Sequence, residues 1–406
     1  MSNDNTFVNT RVNNLGVHPL FMGSNRYTLV DLFSGCGGLG LGFHQAGFET
    51  LLANELHPDP AKTYTENLLP NHPERMKVGP ISEVLSNTKL QELGLKKKEV
   101  TCVAGGPPCQ GFSMAGAGIA DDPRNKLYRE YLRVIRQLRP KTLVFENVPG
   151  FASRYGLGIQ KHLERTLVSL GYTVASGVIS AMDYGVPQLR RRFICIGVQK
   201  SILKDQILTL PPPTWSGNEI QTKLTAKQVL GDLDVYVKRG GYGTGINFGP
   251  EKYLKPARTQ FQKEMRTISG TTVNGHTWNT LIPQHTDTVQ KRMSKYLKGV
   301  TREDLEDTKL ATKKHSQRVL YANKPPQITV VSLPDDYIHY NIKLPRTLSV
   351  RECARLQTFP DHYKFYGKRT TGGLRRRVDV PQYTQVGNAI PPRLGNAIAM
   401  HLLKYL

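Results

Sequence analysis

The sequence predicts a doubly wound α/β protein interrupted by a smaller, irregular, β-rich insert, on three observations. Short β-branched apolar runs alternate with segments of helical spacing from residue 27 to about 199. That rhythm stops between 200 and 345, where a triple proline, glycine runs and basic residues take over, and it returns from 346 to the end. The 406 residues also exceed what one ordinary core holds. The expected organisation is therefore a flexible leader over 1–26, a first part of the main domain over 27–199, the insert over 200–345, and a return over 346–406.

Composition narrows the class. Lysine plus arginine number 55 against 32 acidic residues, a net charge of +23 that favours a polyanionic partner, nucleic acid above all. No apolar run approaches the ~20 residues of a membrane span, so no membrane role is expected. The N-terminus is polar and Asn-rich, lacks the basic start and apolar middle of a secretory signal, and reads as a flexible leader, while the scattered, odd-numbered cysteines point to a reducing, cytoplasmic setting. The five cysteines are scattered, with no C-x-x-C pair, so neither a disulfide framework nor a zinc site is expected.

Taken in order, the run from Tyr27 to Phe33 reads as a buried strand. It enters a glycine-rich turn whose Gly35, Gly37 and Gly40 meet a G-x-G-x-x-G spacing as a helix opens. A second strand, from Glu49, ends at Glu55, at the offset of about 20 residues where an acid binds ribose hydroxyls in nucleoside-binding folds. Turn and acid together favour an adenosine-type cofactor without separating a nicotinamide dinucleotide from S-adenosylmethionine. A helix is expected over 59–67.

The run VTCVAGGPPCQGFS, residues 100–113, is a strand stopped by two glycines and two prolines. Proline cannot extend a central ladder and restricts its predecessor, so a stiff loop presents Cys109 as a nucleophile is presented. A buried inert thiol is the plain alternative. A Gly/Ala-rich loop over 114–120 and a helix from Pro123 follow; Leu127, Tyr131, Val134, Ile135 and Leu138 mark its apolar face. The strand from Lys141 ends at Glu146, and strand–helix alternation brings Glu146 to the same sheet edge as Cys109. An acid beside a thiol can donate a proton if burial raises its pKa.

After a helix over 157–170 and a strand from Tyr172 to Ser180, Gln188, Arg190 and Arg192 precede another apolar run. Period-2 spacing puts both arginines on one face, where guanidinium groups suit phosphate or carbonyl oxygens. The 200–345 stretch interleaves basic and aromatic residues, including Trp215 and Trp278, as a nucleic-acid contact region would. An amphipathic helix near 350 and a closing helix after Pro391 and Pro392 complete the chain.

Six blocks then stand in a fixed order: DLFSGCGGLGLG, GGPPCQGFS, FENVPG, PQLRRR, VRECARLQTFPD and QVGNAIPP. In these the chain, from Tyr27 to Leu406, resembles the C5-cytosine DNA methyltransferases of bacterial modification systems. The resemblance implies a Rossmann-like methyltransferase domain with an inserted target-recognition domain. It implies a DNA (cytosine-5-)-methyltransferase that uses S-adenosylmethionine and no metal and acts on double-stranded DNA. It also implies a monomer, with a restriction endonuclease acting at the same site as functional partner. Cys109 would attack C6 of a flipped-out cytosine, Glu146 would engage N3, and Arg192 with Arg190 would hold the base carbonyl. Phe33, Ser34, Gly35, Gly37, Gly38, Glu55, Leu56, Pro108, Leu127, Asn388 and Ala389 would line the cofactor site. Family members commonly carry an acid in a G-D-I triplet; here Gly79-Pro80-Ile81 stands there, which leaves the adenine contact unassigned. A nicotinamide oxidoreductase would leave the Cys109 loop and the charge unexplained. A catalytically dead relative would not need Cys109 and Glu146. An RNA-methylating relative would have less use for so large an insert.

Overall fold

The computed structural model describes residues 27–108, 127–153, 157–214, 224–233, 239–240, 251–268, 271–272, 276–283, 285–312, 318–332, 337–370 and 379–406. Seven strands form the central sheet: β1 (Tyr27–Leu32), β2 (Phe48–Glu55), β3 (Met76–Val78), β4 (Cys102–Gly105), β5 (Thr142–Asn147), β6 (Tyr172–Ser180) and β7 (Arg191–Gln199), in the order β3-β2-β1-β4-β5-β7-β6. The first five are parallel; β7 runs antiparallel between β5 and β6. Strand order reverses between β1 and β4, which opens a crevice at their carboxyl ends, the ligand edge of such sheets.

Helices cover both faces: α1 (Gly38–Gln45), α2 (Pro58–Leu68), α3 (Leu127–Leu138) and α4 (Leu157–Ser169) come first. Alternate strand residues divide between two cores, as a period of two requires. Val30, Leu32, Val103, Leu143, Phe145 and Phe193 pack with Tyr131, Ile135 and Leu163 of α3 and α4. Leu29, Cys102, Ala104, Val144, Ile194 and Ile196 pack on the other face with Leu39 and Phe43 of α1. The doubly wound expectation is met, with β7 reversing one edge of the sheet.

Between residues 200 and 345 lie α5 (Ala226–Leu230), α6 (Gln260–Met265) and α7 (Asp287–Leu297). Strand pairing among the described residues there is limited to four two-residue ladders. The β-rich character expected for the insert thus rests on short ladders alone among the described residues. Prolines and glycines interrupt the chain too often for a long ladder, and helices with Thr–Gln capping boxes at Thr225 and Thr259 carry the packing instead. Ala226, Val229, Phe261 and Met265 share one hydrophobic cluster with Cys36, Tyr64, Val350, Phe359 and Val386.

The chain returns through α8 (Val350–Leu356), α9 (Gln382–Asn388) and α10 (Pro392–Leu403). Ser349 opens α8 with a reciprocal cap: its hydroxyl accepts from Glu352 N, and its own N–H donates to the Glu352 carboxylate at 2.7 Å. Helix α10 lies on α1, and Leu394, Ile398 and Leu402 join the second sheet-face core.

Candidate active site

Phe33 follows β1 with φ +54°, and Gly35 and Gly37 with φ +56° and +88° complete the turn into α1. A side chain rarely adopts such angles, so the turn is specified by its glycines. Gly35 N–H donates to Glu55 Oε2 at 2.9 Å, and His57 N–H to Glu55 Oε1 at 2.9 Å. Glu55 thus ties the glycine turn to the end of β2. Burial pushes its carboxyl up, and these N–H donors oppose that shift.

Among the described residues nothing lies within 4 Å of where a Cβ on Gly35 would sit, so they leave the turn open there. Ser34 Oγ, buried beside it, has no hydrogen-bond partner among the described residues. Leu56 and Val78 are 53 % and 47 % exposed where β2 and β3 end side by side, an apolar rim to the same crevice. Asn54, which sequence reasoning passed over, donates to the carbonyls of Lys77 and Gly79 and fixes that rim. Asp31 is also buried, under α1; burial pushes its carboxyl up to about 7, eased by the Tyr64 hydroxyl and reinforced by Glu55.

Gly37 and Gly38 serve packing. A Cβ on Gly37 would stand 2.6 Å from the Tyr363 hydroxyl oxygen, and one on Gly38 2.1 Å from Ile390 O. The latter contact brings the loop of Asn388 and Ala389 against the glycine turn. Asn388 is exposed and Ala389 half-buried. Leu127 is half-buried at the start of α3, and Pro108 is exposed beyond β4.

At the next two strand ends, Gly105 pairs with Phe145, so Gly106 and Glu146 are neighbours. A Cβ on Gly106 would lie 2.6 Å from Glu146 Oε2. Asn147 Nδ2 donates to Pro107 O at 3.0 Å and anchors the proline neck. Cys109 lies outside the described residues, three positions beyond Gly106.

Glu146 accepts from Arg192 Nε at 2.9 Å, each side chain 13 % exposed. Burial raises the Glu146 carboxyl above its ordinary range, and the guanidinium groups of Arg192 and Arg190 offset part of that. The same burial lowers Arg192, and Glu146 opposes it. An acid that can hold its proton beside a guanidinium is suited to donate to a ring nitrogen.

Arg190, expected with Arg192 to hold the base carbonyl, is near enough to act on Glu146 but spends its hydrogen bonds on backbone. It is 0 % exposed, and its guanidinium donates to the carbonyls of Val330, Gly387 and Asn388. The reason is local: β7 begins at Arg191, and Arg190 N–H bonds back to Gln188 O, so the period-2 spacing of an extended chain does not apply. Gln188, equally buried, bonds to Leu356 O, Gln357 Oε1 and Val330 N.

A family model of C-5 cytosine-specific DNA methylases matches residues 27–404. The chain belongs to this family. It is 32 % identical to the type II methyltransferase M.DdeI of Desulfomicrobium norvegicum, with 93 % of this chain and 88 % of that protein covered. It is 32 % identical to M1.HphI of Haemophilus parahaemolyticus, with 93 % and 87 % covered. A crystal structure described as a DNA modification methyltransferase encoded within an E. coli prophage superposes with a TM-score of 0.72 at 25 % identity, over 93 % of this chain and 99 % of that one. The α/β fold with its mixed seven-stranded sheet is thus matched by a DNA methyltransferase structure. Among the described residues no helix is long and apolar enough to cross a membrane, and no three His, Cys, Asp or Glu side chains gather as a metal site.

Proposed function

We propose that this methylase modifies C5 of a cytosine flipped out of a specific duplex sequence, through a covalent bond from Cys109, as the modification half of a restriction–modification system. The observation that carries the reading is the Glu146–Arg192 pair packed on Gly106. It puts a protonatable acid at the strand end next to the neck that leads to Cys109.

The crevice at the glycine turn fits S-adenosylmethionine. Among the described residues Gly35 leaves open space and Ser34 Oγ is an unpartnered buried hydroxyl, and Leu56 and Val78 offer an apolar face. When bound, that cofactor supplies an electrophilic methyl group. Phe33, Ser34, the glycine turn, Glu55, Leu56, Pro108, Leu127, Asn388 and Ala389 are the residues we assign to holding it.

Cytosine C5 is a weak nucleophile until the ring is made enamine-like. The Cys109 thiolate would add to C6 while Glu146 protonates or hydrogen-bonds N3, which stabilises the charge that develops. Arg192, already paired to Glu146, would steady that carboxyl and the base carbonyl. C5 then takes the methyl group; loss of the C5 proton and of the sulfur–C6 bond restores the ring and the thiolate. Flipping costs a few kcal/mol of stacking and pairing, which contacts from the 200–345 region to duplex DNA would offset.

A duplex carrying 5-fluorocytosine at the target tests this, because the fluorine cannot leave as the proton does. With S-adenosylmethionine the wild type should form an adduct that survives denaturation, and Cys109→Ser none. Absence of the wild-type adduct would overturn the mechanism. Bisulfite sequencing of DNA from expressing cells identifies the target sequence.

A further inference from the structure

Behind Arg192 three remote parts of the chain converge on two buried side chains. Gln188 Nε2 donates to Leu356 O at 2.8 Å and to Gln357 Oε1 at 2.7 Å, and its Oε1 accepts from Val330 N at 3.0 Å. Arg190 donates to Val330 O at 3.1 Å and to Gly387 O at 3.0 Å. Gln357 completes the link by donating to Val386 O and Ala389 O at 2.6 and 3.1 Å. The strand that carries Arg192, the exit of the 200–345 region over 328–332, and the loop over 386–390 are therefore fastened to one another.

The last two also touch directly. A Cβ on Gly387 would stand 2.4 Å from Val331 C and 2.5 Å from Ser332 N, so the two backbones leave no room for a side chain. Ser332 Oγ donates to Asn388 Oδ1 at 2.9 Å. The far side of the same loop presses on the glycine turn through Ile390 O. Buried polar groups bonded across remote segments in this way rigidify what they join, because a displaced partner leaves carbonyls without donors.

We propose that Gln188, Arg190 and Ser332 are positioning residues of a joint that couples the two substrates. A duplex held by the 200–345 region fixes 328–332, and 328–332 fixes the 386–390 loop against the cofactor. The ordering cost is then met once for both ligands, and the coupling is reciprocal. The inference rests on the reading of Asn388 as a cofactor contact.

The test is the dissociation constant of S-adenosylhomocysteine, measured by calorimetry with and without a duplex carrying the target site. The wild type should bind about five-fold or more tighter with duplex, the lower end of usual coupling. Ser332→Ala should lower that ratio about three-fold or more, toward one, within the worth of one neutral hydrogen bond, while each ligand bound alone keeps its affinity. Ser332→Thr, which retains the hydroxyl, should restore the ratio, and Arg190→Lys should lower it. A purely structural role would shift the melting temperature and leave the ratio intact, and an intact ratio in Ser332→Ala overturns the joint. If Arg190→Lys does not fold, Ser332→Ala, which removes one half-buried hydroxyl, decides alone. A wild type that binds S-adenosylhomocysteine with a ratio near one overturns the joint only; one that does not bind it at all overturns the cofactor reading, and the joint with it.

Discussion

Glu146 is a carboxyl group whose two influences oppose each other and whose balance matters for chemistry. Burial favours the neutral acid, while Arg192 at 2.9 Å and Arg190 favour the anion; the net direction is upward. The acid is the form that can deliver a proton to a base nitrogen, so the active fraction shrinks as pH rises through the raised pKa. Glu146→Gln keeps the shape and a donor but has no proton to transfer. Its kcat should fall roughly 10²- to 10⁴-fold, with S-adenosylhomocysteine affinity unchanged and the alkaline decline of the wild type missing from its pH–rate profile. A variant that keeps near-normal kcat, or the same alkaline limb, would remove Glu146 from proton transfer. The position of Glu146 was legible in sequence because a strand that ends in an acid needs only local pattern. The place of Arg190 was not: its partners at 330, 387 and 388 are remote, and a local spacing rule put it on one face with Arg192.

At the scale of elements, α1 is unusual in that three of its first five residues are glycine, each costing about 1 kcal/mol of helix propensity. That cost is offset by close approach. A Cβ on Gly42 would lie 2.4 Å from Asn396 N of α10, and one on Gly38 2.1 Å from Ile390 O. Both obstacles are backbone atoms, which cannot rotate away as a side-chain tip can. Gly38→Ala should therefore destabilise the fold by about 1–3 kcal/mol, the range for overpacking a dense contact, as read from the urea midpoint. A change within about 0.5 kcal/mol would mean that the 386–390 loop yields freely. In the sequence the glycine-rich run from Gly35 to Gly42 reads as one tight turn within which a helix opens. The structure divides it: Gly35 borders open space, while Gly38 and Gly42 admit other backbone. No one-dimensional spacing separates those two uses of glycine.

Across the whole molecule, a buried ionic network binds the 200–345 region to the returning α8. Asp232 accepts from Arg266 at 2.6 Å and from Arg355 at 2.5 Å, and Arg355 also pairs with Asp361, which takes the Tyr253 hydroxyl as well. The four charged side chains of these pairs are 2 % exposed or less. Burial works against the charge of Arg355 and of Asp361. Their mutual attraction, with Asp232 beside Arg355, more than offsets it, leaving the arginine raised and Asp361 lowered. A lowered carboxyl stabilises the fold above the ordinary carboxylate pKa and loses that contribution as pH falls through its folded value, so this joint should hold until the pH is well below the ordinary carboxylate range. Removing one partner is far costlier than the pair is worth, because the remaining charges stay buried. Asp232→Ala, which strands Arg266 and half of Arg355, should cost about 3–5 kcal/mol. Since Phe261 and Met265 share a hydrophobic cluster with Tyr64 and Val350, the loss should appear as one cooperative transition at lower urea, not as early melting of the 200–345 region. Two separated transitions, or a cost below about 1 kcal/mol, would mean that the region is held to the methylase core by something other than this network and the shared cluster.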